Sequence, residues 1–401
     1  MTTFEPQSIL SKRTSSVEEV AIIAMSRKAR DLKAQGHDVL SLTIGEPDFD
    51  TPEHIRQAAY KAMNDGYTHY APIPGMPELR KALAQKLKTE NGLDYDWTEI
   101  VVSNGAKQSI TNAVFATLDE GDEVILLAPY WAAYEGAIAI AGGKAKIIYA
   151  GIEDNFKVPA EQLKAAMSDK TKLVILNSPN NPTGAMFTKE ELQAIAKVIC
   201  DHPKAMVISD EIYEYIQFDQ QHISIGTMPG MAQRTITING FSKGFAMTGW
   251  RLGYAAAPAP VAIAMTKVQG TFTAGANAFV QMAAVTALNG SRTEVEQMRA
   301  TYQERRDLVV SGLNAIEGIK VPNPPGTFYV FADVSAILGK TVSNHKINTV
   351  DELCNWLLEV HHVATVPGSA FGDNKALRIS FATSSDVLGR AIKRIARALN
   401  P

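Results

Sequence analysis

The 401-residue sequence contains only two cysteines and carries little net charge. Cys200 and Cys354 show no metal-ligand spacing and offer no disulfide framework. The formal net charge of -3 gives no electrostatic reason to expect nucleic acid or an anionic membrane as the main partner. Hydrophobic residues make up 46% and charged residues 20% of the chain, which excludes the disordered and fibrous classes. We therefore expect globular domains, about two or three for a chain of this length.

The sequence also lacks an apolar segment suited to a membrane. Its N-terminal residues are polar and lack the hydrophobic region of a secretory signal. The longest charge-free stretch, 268–291, is long enough to cross a bilayer, but polar side chains interrupt it throughout. A buried loop and helix is the favoured interpretation, so we expect a cytoplasmic protein without a membrane-spanning segment.

Short apolar runs alternate with helical patterns in the middle of the chain. The helical stretch 189–200 (KEELQAIAKVIC), for example, follows Thr188, which is suited to be its N-cap. Continuous apolar strands separated by helices are typical of a mostly parallel sheet that is covered on both faces. The candidate strands are 99–103, 123–128, 146–150, 172–176, 205–209, 235–239 and 252–255.

Both ends of the chain differ from this pattern. Residues 18–35 form one helical stretch, and from about residue 293 a long charged helix leads into separated strands and helices. We predict an α/β fold with a large domain over 50–290, whose mostly parallel central sheet is sandwiched by helices. A smaller α+β domain is predicted from 1–49 together with 291–401.

Residues that follow the predicted strands are candidate site residues, because ligands of open α/β sheets bind beyond the carboxyl ends of the strands. Gly105 lies between the first strand and a helical run, as in an anion site at a helix N-terminus, although an ordinary turn explains it equally well. The phosphate-loop pattern is absent, since Val334 occupies the position of its first glycine before Gly339-Lys340-Thr341.

Amide and charged residues follow the later strands. The loop 177–184 (NSPNNPTG) is stiffened by two prolines and is dense in side-chain amides. Asp210 ends one apolar run, Lys243 follows the next and Arg251 precedes the last. A buried Lys–Asp ion pair or two solvated loop charges would explain the acid and the lysine, but so would a lysine prepared for imine formation. Pyridoxal phosphate needs such a lysine, an acid, a phosphate cradle and a flat apolar partner such as Trp131, which is otherwise a core residue.

Four segments carry a resemblance to a known family: 45–49 (GEPDF), 177–184 (NSPNNPTG), 209–213 (SDEIY) and 242–254 (SKGFAMTGWRLGY). In this order, and with Lys243 33 positions after Asp210, they resemble the fold-type I, class I aminotransferases, and among these the bacterial aspartate aminotransferase branch. The resemblance runs from Leu10 to Leu399 and implies the fold-type I architecture with pyridoxal 5′-phosphate as cofactor.

The resemblance implies three catalytic residues. Lys243 corresponds to the lysine that forms the imine with the cofactor and moves the α-proton of the substrate. Asp210 corresponds to the acid that keeps the pyridine nitrogen protonated. Tyr213 is similar to the phenol that donates a hydrogen bond to the 3′-oxygen of the cofactor.

The same resemblance implies how cofactor and substrate are bound. Trp131 corresponds to the ring-stacking residue, and Tyr70 to a tyrosine that reaches the phosphate across a dimer interface, so we expect a homodimer with shared sites. Arg378 matches the arginine that clamps the α-carboxylate, although an arginine at a strand edge would look the same. Besides the catalytic three, the expected cofactor-binding residues are Gly105, Ala106, Lys107, Trp131, Asn181, Ser242, Arg251 and Tyr70. The expected substrate-binding residues are Gly45, Lys107, Trp131, Asn181 and Arg378.

The implied activity is ping-pong transamination between an L-amino acid and 2-oxoglutarate. Aspartate is the first choice of donor, because Lys107 matches the lysine that meets the distal carboxylate in the resembled branch. The alternatives are an aminotransferase with aromatic or broad donor specificity, a pyridoxal-phosphate-dependent β-lyase, and a transcriptional regulator on the same fold. We expect small-molecule partners, no nucleic acid and no metal, since the histidine pair 361–362 lacks partners at metal spacing.

Two single positions and one loop depart from the family pattern. Glu18 replaces a lysine that is linked to acceptance of prephenate, so we do not expect prephenate as a substrate. The loop 273–278 differs from the usual Ser/Thr-Asn-Pro pattern that contributes across the dimer, and Ala133 stands where a serine is frequent. These changes could admit aromatic or other amino donors.

Overall fold

The structure is a computed structural model that describes residues 9–15, 17 and 21–400. The helix predicted over 18–35 runs from Ala21 to Ala34, and Glu18 lies outside the described residues. In the described part of the chain, no helix is long and apolar enough to cross a membrane. The cytoplasmic location stays a prediction.

Helices cover the sheet and form much of both chain ends. Helix α8 begins where the sequence predicts it, because Thr188 and Glu191 form a reciprocal capping box. Gly105 is the N-cap of helix α5, and its φ of 87° suits a residue without a side chain. The helices are α1 Lys12–Ser15, α2 Ala21–Ala34, α3 Glu53–Asn64, α4 Pro77–Asn91, α5 Ala106–Thr117, α6 Ala133–Ile140, α7 Ala160–Ala166, α8 Lys189–Cys200, α9 Ala259–Phe272, α10 Ala278–Asn289, α11 Thr293–Asn314, α12 Val350–His361 and α13 Ser385–Leu399.

The strands agree with the predicted ones to within one or two residues at each end. The run predicted over 146–150, for example, pairs over Lys144–Tyr149. The strands are β1 Leu40–Ser41, β2 Ile100–Ser103, β3 Glu123–Ala128, β4 Lys144–Tyr149, β5 Thr171–Asn177, β6 Met206–Asp210, β7 Thr235–Gly240, β8 Gly253–Ala256, β9 Tyr329–Asp333, β10 Thr341–Val342, β11 His345–Lys346, β12 Val363–Ala364, β13 Val366–Pro367 and β14 Ala376–Ser380.

A seven-stranded sheet forms the centre of the molecule, in the order β2-β8-β7-β6-β5-β3-β4. The pairs from β4 to β7 are parallel, whereas β8 is antiparallel to both of its neighbours. Strands β5, β6 and β7 are buried almost throughout, which explains why they read as continuous apolar runs in the sequence. The predicted α/β class with a mostly parallel sheet is confirmed.

A second, antiparallel sheet has the order β13-β14-β9 and is built from the tail of the chain. The N-terminal part contacts the same tail, since β1 pairs in parallel with β12 in a separate two-stranded sheet. Strand β14 carries Arg378 opposite Phe331 of β9, and Ser380 opposite Tyr329. This sheet therefore brings Arg378 and Tyr329 next to the central sheet. The domain boundaries near residues 50 and 290 remain our proposal.

Candidate active site

A cavity of about 330 Å³ opens where β5, β6 and β7 end. Parallel strands place their carboxyl ends at one edge of a sheet, so loops that are far apart in sequence meet there. The predicted site residues that line it are Gly45, Ala106, Lys107, Trp131, Asn181, Asp210, Tyr213, Ser242, Lys243, Arg251 and Arg378.

Asp210 ends β6 and is a buried acid that faces the cavity. The hydroxyl of Tyr134 donates to its Oδ2 at 2.6 Å, and the backbone N–H of Ile212 donates to its Oδ1 at 3.3 Å. Burial raises the pKa of Asp210 to about 6, although both hydrogen bonds act in the other direction. The carboxylate is therefore only partly compensated by the protein, and a positive group in the cavity would stabilise its charge.

Lys243 follows β7 and projects into the same cavity. Its amine donates to the backbone carbonyl of Gly45 and lies 5.7 Å from the ring centre of Tyr213. Burial lowers the pKa of Lys243 to about 8, with the nearby Arg378 and Arg251 acting in the same direction. A lysine with this pKa is partly unprotonated near neutral pH, so its nitrogen can act as a nucleophile or a base.

Arg378 is a fully buried cation on β14. Its Nη1 donates to Oδ1 of Asn181 at 2.9 Å, and its Nη2 donates to the carbonyl of Thr43 at 2.8 Å. Its Nε has no hydrogen-bond partner, and no carboxylate of the described residues lies within salt-bridge distance. A buried guanidinium costs desolvation energy that a paired anion offsets. The site is therefore suited to a ligand carboxylate.

The first turn of α5 forms the other cationic end of the cavity. Arg251 lies directly over Gly105, where a Cβ atom would come within 2.5 Å of its Nη2. Its Nη1 donates to the carbonyl of Thr248 at 2.9 Å. A helix N-terminus with an adjacent guanidinium is a ready anion site, because free N–H groups and the cation point to the same place. Ala106 and Ser242 line this end of the cavity.

Lys107 and Trp131 form one wall of the cavity. The Lys107 ammonium lies 4.9 Å from the ring centre of Trp131. Burial, with a smaller effect of Arg251, lowers the pKa of Lys107. Its charge is thus placed where a substrate anion would stabilise it.

Tyr70 does not reach this cavity within one chain. Its side chain is 98% exposed and lies in a separate groove between 67–71 and 275–279. Residues of the atypical loop 273–278 line this same groove.

Several cavity residues escaped prediction from the sequence. Tyr134 lies three positions after Trp131, so the turn that starts α6 directs both rings to the site. Tyr329 starts β9 and its hydroxyl lies 3.1 Å from that of Tyr213. Glu46 accepts a hydrogen bond from the Thr248 hydroxyl at 3.0 Å. Glu46 belongs to the GEPDF segment and Tyr134 follows Trp131 by three positions, but Tyr329 lies near neither segment in the sequence.

Comparisons with known proteins identify the family of this chain. The sequence model of the family "aminotransferase class I and II" matches residues 37–395. A probable aspartate/prephenate aminotransferase of Rhizobium leguminosarum bv. phaseoli is 46% identical over 391 residues, which are 97% of this chain and 98% of the relative. An aspartate/prephenate aminotransferase of Cereibacter sphaeroides is 44% identical over 389 residues, 96% of this chain and 97% of the relative.

Solved structures show the same relationship. The aspartate aminotransferase of Rhizobium meliloti superposes with a TM-score of 0.95 at 42% identity, covering 99% of both chains. The aspartate aminotransferase of Thermus thermophilus with maleate gives a TM-score of 0.92 at 42% identity, covering 97% of this chain and 99% of that one. The chain therefore belongs to the class I and II aminotransferase family and is an aminotransferase.

Proposed function

We propose that this aminotransferase transfers the amino group of L-aspartate to 2-oxoglutarate in a ping-pong reaction, with pyridoxal 5′-phosphate as its cofactor. The observation that carries the proposal is that, among the described residues, one cavity contains both a buried acid without a paired cation and several cations without paired anions. Asp210 is an acid that needs a cation, while Lys107, Arg251 and Arg378 are cations that need anions. The cofactor and a dicarboxylate substrate together supply these charges.

The residues fit the cofactor. The protonated pyridine nitrogen would supply the positive charge that buried Asp210 lacks. The phosphate would be held at the N-terminus of α5 by Arg251, Ser242 and the backbone of Ala106. Trp131 would stack on the ring, and the hydroxyl of Tyr213 would donate to its 3′-oxygen. When bound, the cofactor supplies a conjugated ring that accepts the electron pair left on the substrate α-carbon.

Lys243 is the proton carrier of the reaction. Its Nζ is partly unprotonated near neutral pH because burial lowers its pKa to about 8. It can therefore remove the α-proton of the substrate and return it, acting first as general base and then as general acid. Arg378 holds the α-carboxylate through guanidinium N–H groups, and Asn181 keeps that guanidinium in place through the 2.9 Å hydrogen bond.

Lys107 supports aspartate as the donor, because its ammonium would pair with the distal carboxylate while Arg378 binds the α-carboxylate. The names of the relatives in Rhizobium and Thermus support the same substrate. A second candidate is a donor with an aromatic side chain, favoured by Ile22 of α2, which adds an apolar surface to the cavity.

A homodimer is the proposed working unit. The groove around Tyr70 holds exposed aromatic and small residues, and a second copy of the chain would cover it. Tyr70 would then extend towards the phosphate site of the partner subunit. Tyr70→Phe should weaken binding of pyridoxal phosphate if the sites are shared.

The test of the proposed function is a half-reaction screen. Purified protein loaded with pyridoxal phosphate should absorb visible light, and each common L-amino acid should be scored by the rate at which the band disappears. The band should be absent from Lys243→Ala, and aspartate should react fastest with the wild type. A wild type that binds no pyridoxal phosphate would contradict the proposal.

Lys107→Ala provides the test of donor choice. The KM for aspartate should rise about 10-fold or more, as for the loss of a charged hydrogen bond, while the KM for phenylalanine should change little. Equal effects on both donors would show that Lys107 does not recognise the distal carboxylate.

A further inference from the structure

Tyr329 touches three functional parts of the cavity at once. It is the first residue of β9, its side chain is fully buried, and it lines the cavity. We propose that Tyr329 is a positioning residue that orients the hydroxyl of Tyr213 and the guanidinium of Arg378 together. This inference rests on the proposed function, since it assigns a role to Tyr329 in that same reaction.

The first contact is a pair of phenol hydroxyls. The oxygens of Tyr329 and Tyr213 lie 3.1 Å apart in a buried environment, and either can be the donor. Burial raises the pKa of both phenols, so both keep their protons over the working pH range. When the Tyr213 hydroxyl donates to an acceptor in the cavity, the hydroxyl of Tyr329 must donate to Tyr213. Such a chain fixes the direction of the Tyr213 proton and strengthens its hydrogen bond.

The second contact is between the Tyr329 ring and Arg378. The guanidinium carbon lies 4.4 Å from the centre of the ring, closer than to the ring of Phe371 at 4.9 Å. The two residues come from adjacent antiparallel strands, where Arg378 is opposite Phe331 and Tyr329 is opposite Ser380. They are therefore diagonal neighbours, and the ring face supports the guanidinium from one side.

The third contact is with the Gly45 loop. A Cβ atom on Gly45 would lie 2.7 Å from the Tyr329 hydroxyl, so the loop can approach the phenol only without a side chain. The carbonyl of Gly45 accepts the hydrogen bond of the Lys243 amine. The phenol of Tyr329 thus borders Gly45, whose carbonyl is the partner of Lys243. It also borders Arg378, assigned to the substrate carboxylate, and Tyr213, assigned to the cofactor oxygen.

The hydroxyl and the ring of Tyr329 have separable tasks. The hydroxyl acts on Tyr213, and the ring acts on Arg378. Tyr329→Phe removes only the hydroxyl, whereas Tyr329→Leu removes the aromatic face as well. Tyr302→Phe is the matched control, because Tyr302 is also buried and packs on Phe328 but does not line the cavity.

The experiment titrates the visible absorption band of the holoprotein against pH, with no substrate present. Tyr329→Phe should shift the midpoint to higher pH by about 0.5–1 unit, because a weaker Tyr213 hydrogen bond stabilises the negative cofactor oxygen less. The control Tyr302→Phe should keep the wild-type midpoint. In a Tyr213→Phe background, adding Tyr329→Phe should cause no further shift, since the hydroxyl acts through Tyr213.

Binding of maleate, a dicarboxylate that cannot react, measures the second task. Tyr329→Phe should keep the wild-type Kd within about twofold, and Tyr329→Leu should raise it about fivefold or more because Arg378 loses its aromatic support. The variant Gly45→Ala should shift the spectral midpoint in the same direction as Tyr329→Phe, since its methyl group displaces the phenol hydroxyl. This second variant keeps the proposal testable if Tyr329→Phe does not fold.

Two results would overturn the inference while the proposed function stands. One is an unmoved midpoint in a folded, coloured Tyr329→Phe protein; the other is an additive shift in the double variant. A reduced Tm with no spectral change would show a purely structural tyrosine. A wild type without any visible band would overturn the proposed function, and this inference with it.

Discussion

Asp210 and Glu211 are consecutive acids at the end of β6, and both are buried, yet their surroundings are opposite. Asp210 faces the cavity and has only Tyr134 and one backbone N–H as donors. Glu211 accepts hydrogen bonds from Ser209 at 2.7 Å and Ser224 at 2.5 Å, and pairs with His222 at 3.0 Å. The pKa of Asp210 is raised to about 6 by burial, while the pKa of Glu211 is lowered, since His222 and the two hydroxyls outweigh its burial.

The difference distinguishes the acid proposed to bind the cofactor from an acid with a structural role. Glu211 has two hydroxyl donors and a histidine partner within the chain, which compensate its charge without a ligand. Asp210 has the same depth and an incomplete set, so it gains stability when a cation enters the cavity. Perturbed acids in cavities are candidates for function for this reason.

Buried charged residues near Glu211 also have partners within the chain. Glu214 accepts hydrogen bonds from the ammonium of Lys86 and from Asn91, the latter at 2.7 Å. Ligand atoms of Glu211, Glu214 and His222 lie within 4.8 Å of one another, a spacing that would also suit a metal ion. Because Lys86 and His222 already balance the two carboxylates, we interpret the cluster as a buried ion-pair network.

The largest expected effect comes from Asp210→Asn. Transamination should slow by about 10²–10³-fold, because the fixed negative charge opposite the cofactor is lost. In the apoprotein, by contrast, the same substitution should increase the stability of the fold above about pH 6. A folded pKa of about 6 against an ordinary 3.8 means that stability falls as the pH rises between these values, and Asn removes this fall. Single-turnover rates and urea unfolding of the apoprotein at pH 5 and pH 8 measure both effects.

Glu211→Gln should instead lower stability strongly and activity little. The free energy of unfolding should drop by about 3 kcal/mol, because a buried charged pair is broken, while the activity of the folded fraction changes less than about tenfold. The contribution of Glu211 is present above its ordinary pKa and is lost as the pH falls through its lowered folded pKa.

The contribution of His222, the partner of Glu211, to stability has the opposite pH dependence. Its pKa is raised, since Glu211 outweighs burial, so its contribution is complete below its ordinary pKa and is lost as the pH rises through the folded pKa. Urea unfolding of wild type and Glu211→Gln from about pH 2 to pH 9 should show both losses only in the wild type. Equal curves would mean that the pair does not stabilise the fold.

The smallest expected effect comes from Tyr134→Phe. Loss of one hydrogen bond to a charged group costs about 1.5 kcal/mol, or roughly tenfold in rate at neutral pH. The pKa of Asp210 should rise further, so the acid side of the rate profile should move to higher pH. Tyr130→Phe is the control, since that hydroxyl donates to Glu135, away from the cavity. A shift of the same size in the control would contradict a specific role of Tyr134.

Much of the fold could be predicted because its signals are local. Buried parallel strands read as apolar runs, and Thr188 indicates the start of α8 through its own capping box. Strand ends differ by a residue or two because hydrogen bonding to a neighbour, which the sequence does not show, decides where pairing stops. The atypical Glu18 lies outside the described residues, and the role proposed for Tyr70 depends on a second chain.

The sequence by itself determined which chemical groups follow which strand: Asp210, Lys243, Arg251 and the amides of 177–184. The carboxyl ends of parallel strands must meet at one edge, so their convergence follows from the order of elements. Only the tertiary structure decided which of two adjacent acids faces the cavity, and that Tyr134 and Tyr329 stand beside Asp210 and Tyr213. Those contacts join residues 76 and 116 positions apart, and their energies depend on burial and orientation that no local pattern encodes.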